Sequence, residues 1–110
     1  MRNMGPVVFL IDSSPYGHER AFGALNAAAV CLPIGSAVAL YADGVYLALA
    51  DQRGYMGELL YAYPEIDIFA HEPSMVERGL LSCDLSDRVE MLDDLEFVER
   101  IKSFRAMVVI

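Results

Sequence analysis

Five short apolar runs punctuate the chain, each bounded by polar or turn-forming residues. They are Pro6 to Asp12 (PVVFLID), Ser36 to Tyr41 (SAVALY), Ile66 to Ala70 (IDIFA), Val89 to Leu92 and Arg105 to Ile110 (RAMVVI). Continuous hydrophobicity rich in β-branched residues is the pattern of strands buried on both faces, as in a parallel sheet. Helical patterns fill the intervals. The first follows the turn Asp12-Ser13-Ser14-Pro15-Tyr16-Gly17 and runs to about Leu32. It is apolar on nearly every side (Phe22, Ala24, Leu25, Ala28, Val30), which predicts cover on more than one face. Asp43 is placed to cap a short helix through Val45, Leu47 and Ala48. A less regular helical stretch covers Tyr55 to Tyr61. Pro73 suits the first turn of a helix ending at Arg78, and Gly79 its left-handed terminus. Asp93 and Glu96 form a capping pattern before a helix whose apolar stripe is Leu95, Val98 and Ile101. Strands alternating with helices across short turns predict an α/β domain, with a mostly parallel sheet of about five strands over residues 1–110.

Composition adds a question. Hydrophobic residues make up 55% of the chain and the mean hydropathy is +0.36, which is high for a globular domain. The uncharged stretch Ala21 to Ala42 has the length of a membrane span, but Pro33-Ile34-Gly35 divides it into a helix and a strand. Val7 to Ile11 is too short for a signal-peptide core, so a cytoplasmic protein with reduced cysteines is expected. Charge is uneven. Residues 1–55 hold Asp12, Glu19, Asp43 and Asp51 against Arg2, Arg20 and Arg53, leaving 12 of the 16 acidic and 5 of the 8 basic residues in the second half. A net charge of −8 opposes binding to nucleic acid or anionic lipid. The oily first half therefore reads as core and subunit interface, with Phe22, Leu25, Val45 and Tyr46 as its expected contact residues, and the acidic half as the solvent face.

Candidate chemistry lies where parallel strands end, because ligands in such sheets bind beyond the carboxyl ends. Those ends present Asp12 and Ser14, Asp43 and Gly44, His71-Glu72, and Asp93-Asp94, which form either a shared binding rim or a set of caps and turns. The first strand–helix turn matches neither dinucleotide-binding nor P-loop patterns, and H-E-x-x-H, G-x-S-x-G and C-x-x-C are missing. No cofactor or metal is implied. Cys31 reads as a small core hydrophobe. Cys83, in Ser82-Cys83-Asp84 beyond the Gly79 stop, reads as a loop thiol open to reaction.

Ser14-Pro15-Tyr16, Leu40-Tyr41-Ala42-Asp43-Gly44-Val45-Tyr46 and Glu77-Arg78-Gly79-Leu80, in that order, resemble the DsrE/DsrF/DsrH superfamily, which includes the TusBCD sulfur-relay subunits. The front half is most similar to the DsrF/TusC and DsrH/TusB types, and Arg88 to Asp93 with Phe97-Val98 resembles the DsrH/TusB ending. The resemblance implies a three-layer α/β/α domain working in an oligomer with like or related subunits. It also implies passage of sulfane sulfur as a cysteine persulfide, for tRNA thiolation or sulfur oxidation, with a donor or acceptor protein as a further partner. In catalytic members the sulfur-carrying cysteine lies at a strand end, nine residues before the last residue of the Arg-Gly-aliphatic motif; counting back from Leu80 gives His71. The first-helix cysteine of some DsrH-type proteins would fall near Ala24 to Asn26, which Cys31 does not match. The chain thus reads as an accessory subunit without the usual carrier thiol. The alternatives are a persulfide carrier on Cys83 and a small-ligand-binding module with no thiol chemistry.

Overall fold

The computed structural model describes residues 5–12, 20–49 and 62–110, with side chains for 7–12, 23–49 and 62–110. Ser14, the Phe22 side chain and the helical stretch expected at Tyr55 to Tyr61 lie outside the described residues. Strands β1 (Gly5–Ile11), β2 (Ser36–Leu40), β3 (Asp67–His71), β4 (Val89–Leu92) and β5 (Phe104–Val109) form one sheet in the order β4-β3-β2-β1-β5. Every neighbouring pair is parallel, with Val8 beside Ala37 and Met107, and His71 beside Leu92.

Parity along each strand sorts the side chains into two layers, as the pleat requires. Phe9, Ile11, Val38, Leu40, Ile68 and Ala70 face one side. There they meet helix α1 (Arg20–Val30), the 3₁₀ helix Ala42–Ala48, and Met75 of α2 (Glu72–Glu77). Val8, Ala37, Ala39 and Phe69 face the other side, under Phe97 of α3 (Asp94–Lys102). The two alanines leave room for α3 to sit close. The result is a three-layer α/β/α domain whose second helical layer, among the described residues, is α3 alone.

Local chemistry explains the element ends. Asp93 accepts from the Glu96 N–H at 2.8 Å while the Glu96 carboxylate accepts from the Asp93 N–H, so the expected capping box starts α3. Gly79 has φ +67°, the left-handed ending anticipated after α2. Helix α1 stops at Val30, short of the expected Leu32, because Pro33 enforces a separate 3₁₀ turn over Leu32–Ile34. The Ser36 hydroxyl then donates to the Ala28 carbonyl at 2.6 Å, satisfying one of the helix's orphan acceptors.

Helix α1 is covered over more than half of its circumference, with Ala24, Leu25 and Ala28 buried and Ala27 and Ala29 half-buried, while Gly23, Asn26 and Val30 form its outward face. Two expectations need correction. Asp43 does not cap the helix that follows it. Tyr41 occupies that position without a side-chain bond, and Asp43 lies inside the first turn, turned toward Arg78. The stripe of α3 is also different. Leu95 is 69% exposed and Val98 40%, while Phe97 is buried with Ile101 packed beside it. Spacings of three and four residues both suit a helix, and the aromatic ring, with more apolar area to remove from water, takes the inward position.

Candidate functional site

The C-terminal end of β3 places His71 among three elements. Its Nδ1 lies 2.8 Å from Ser74 Oγ in α2, and its Nε2 lies 2.7 Å from Asp94 Oδ1 at the start of α3. The second contact follows from register: His71 pairs with Leu92 across β3 and β4, so Asp94 emerges at the same edge two residues on. Ser74 Oγ also accepts from the Ala42 N–H at 3.1 Å. One arrangement of hydrogens satisfies every atom: Ala42 N–H donates to Ser74, the Ser74 hydroxyl donates to Nδ1, and Nε2–H donates to Asp94. The imidazole is further held by the Tyr41 and Phe97 rings, at centroid distances of 4.9 and 5.0 Å.

The order hydroxyl, imidazole, carboxylate has the composition of a hydrolytic triad, yet the geometry gives it another role. Ser74 is 4% exposed and its oxygen already accepts a backbone hydrogen bond. It is not presented to a substrate; it fixes the tautomer and plane of His71. Asp94, by contrast, is open to solvent and keeps a second oxygen for other partners. Asp94 is one of the strand-end polar residues expected at the rim, and only the register of β3 against β4 brings it to His71.

The rest of the expected rim divides. Asp43 accepts from Arg78 Nε at 2.9 Å, and Arg78 also donates to the Ser74 carbonyl at 3.0 Å. The Asp43 hydrogen bond raises the guanidinium pKa, with partial burial opposing it. Gly44 is buried, with its Cα so close to the Ile11 carbonyl that a side chain has no space there. Asp12 is exposed at the end of β1. Cys83 is exposed, but it lies on the return segment from α2 to the opposite, N-terminal end of β4, away from the strand end that holds His71. Cys31 is half-buried against the α1-side core. Of the expected interface residues, Leu25 and Val45 are enclosed in the chain's own core, and Tyr46 retains some exposure. Among the described residues no cluster of three His, Cys, Asp or Glu side chains could hold a metal ion. Among the same residues no helix is long and apolar enough to cross a membrane.

Beside His71 a groove of about 300 Å³ opens between α3 and the sheet. Leu10 and Met107 line its sheet side, and Phe97, Val98 and Ile101 its helix side. Tyr41, His71 and Asp94 stand at one end and Lys102 also borders it.

These features define the class: an all-parallel α/β/α domain with a buried, doubly hydrogen-bonded histidine at a strand end. The crystal structure of the ychN protein from E. coli shares this fold, with a TM-score of 0.79 and 23% sequence identity, covering 97% of this chain and 100% of that one. No protein-family model matches the chain. No curated protein matches it either.

Proposed function

We propose that the chain is an accessory, oligomeric subunit of a DsrE/F/H- or Tus-like sulfur-relay system in the cytoplasm. Its partners on this reading are copies of itself or related subunits, together with a sulfur donor or acceptor protein. The observation that carries the reading is His71. The position that the sequence resemblance assigns to the carrier cysteine is the buried C-terminal residue of β3, and there an imidazole is anchored through both ring nitrogens. A group so placed cannot form a persulfide. With both ring nitrogens engaged, it is suited to holding the exposed Asp94 carboxylate at the strand end, where that carboxylate can position a partner's thiol. The shared fold across nearly the whole chain supports the same reading, since it is the architecture that the resemblance implies.

The test is mass spectrometry after incubation with a cysteine desulfurase and free cysteine, on wild type, Cys31→Ser and Cys83→Ser. The expected result is that no sulfur is added to either thiol. One observation favours a second reading, a carrier on Cys83: that thiol is exposed and thus reachable by a donor. Gain of a sulfur atom by wild type and Cys31→Ser, but not by Cys83→Ser, would replace the first reading with the second. Light scattering on the same samples measures assembly, and a monomer at micromolar concentration would remove the subunit role.

A further inference from the structure

We propose that the groove between α3 and the sheet is a binding site for a small amphipathic carboxylate with an apolar body. This stands independently of any role in sulfur transfer. Topology supplies the first reason. The connections from β1 through β4 step in one direction across the sheet, whereas the α3 connection carries the chain back past β1 to β5. The border between β1 and β5 is therefore the switch point, beside which parallel sheets open a crevice at the carboxyl ends of their strands, the end of the groove where Tyr41 and His71 stand. Leu10 of β1 and Met107 of β5, both on the α3 side, line the groove at this border.

Size and lining supply the second. A volume of about 300 Å³ lies at the lower end of small-ligand pockets, and apolar walls with a few convergent polar groups are their usual make-up. Tyr41, Val98 and Met107 are each 40% exposed or more, so apolar surface at the groove stays wet in the free protein.

Charge selects the ligand. Arg78, Arg88 and Arg100 each bond to a carboxylate or a backbone carbonyl. Lys102, which lines the groove, has no ion-pair partner among the described residues, in a chain of net charge −8. Along α3, Lys102 stands eight residues from Asp94, or about 12 Å. The groove thus offers one cation at one end, an acceptor carboxylate at the other, and hydrocarbon between. A single ammonium suits a monoanion, and the span suits an aryl or alkyl carboxylate whose apolar body lies over Ile101 and Phe97 toward Tyr41.

The test follows methionine methyl resonances during titration with phenylbutyrate and with its uncharged analogue phenylbutyramide. We expect a saturable shift of the Met107 methyl with phenylbutyrate, and none at Met75, which is buried in the core on the opposite face. Lys102→Gln should weaken phenylbutyrate about fivefold and leave phenylbutyramide unchanged. Val98→Trp should fill the groove and abolish both shifts. Both substitutions are at exposed positions, and an unaltered Met75 methyl verifies the fold. No saturable Met107 shift at concentrations on the order of 10 mM would overturn the site. Persistence of the shift in Val98→Trp would do the same. Equal affinity for acid and amide in wild type would overturn the choice of an anion.

Discussion

Gly44→Ala tests the packing of the first two strand ends most sharply. A Cβ at Gly44 would lie 2.0 Å from the Ile11 carbonyl oxygen and 2.7 Å from its carbon, whereas ordinary contact begins at 3.4 Å. The shortfall is 1.4 Å (3.4 less 2.0), and it is against backbone, so no rotamer change relieves it. That same carbonyl accepts from the Tyr41 N–H at 3.0 Å. Moving it strains a hydrogen bond worth about 1 kcal/mol, in addition to about 1–3 kcal/mol for overpacking. The expected loss is roughly 2–4 kcal/mol, or roughly 8–16 °C in Tm for a domain of this length. Thermal and urea unfolding followed by circular dichroism measure it. Gly23→Ala is the control: its Cβ meets nothing within 4 Å, and the residue is in helix α1, so a gain of about 0.5–1 kcal/mol is expected. If Gly44→Ala unfolds within about 0.5 kcal/mol of wild type, the close approach of the 3₁₀ helix to β1 is refuted.

Three further outcomes follow from contacts already described. Phe97→Ala removes the ring that packs on Phe69, Tyr41 and His71, and should cost about 3–5 kcal/mol in urea unfolding. Asp93→Ala loses the capping box and should cost about 1 kcal/mol by the same assay, with Asp93→Asn losing less. A double-mutant cycle on Asp43 and Arg78 should give a coupling of at most about 1 kcal/mol that shrinks with added salt, because Asp43 is largely exposed. The guanidinium pKa is raised in the folded state, so its contribution is full below the ordinary arginine value. It is lost only as pH rises through the raised one, and the coupling should therefore be unchanged by moderate alkali.

Much of this fold is legible in the sequence, because periodicity and end signals are local. The limits of β4 and the Asp93–Glu96 box can be read directly, since a strand bounded by polar residues and a reciprocal cap each depend on neighbours in the chain. The place of β5 beside β1 cannot. Its apolar run fits any open edge of a parallel sheet, and only the crossing of α3 to the other face decides which. The site divides in the same way. His71 stands out through its position relative to Arg78-Gly79-Leu80, but its bond to Asp94 depends on the register of β3 against β4, and its bond to Ser74 on the first turn of α2. Asp43 and Gly44 satisfy a binding-rim pattern and a turn pattern equally well; a salt bridge and a backbone contact 35 and 33 residues away, respectively, determine what they do.

The line from Ala42 through Ser74 and His71 to Asp94 has a mechanical consequence. Its two ends belong to different helical layers that share no core, and the line passes over the carboxyl end of β3 to join them. Ala42 holds φ +52°, a left-handed conformation costing an alanine about 1–2 kcal/mol, and its N–H is tied to Ser74. Four residues therefore act as a tendon between layers. The left-handed turn at Ala42 and the first turn of α3 are thereby linked across the carboxyl ends of the strands.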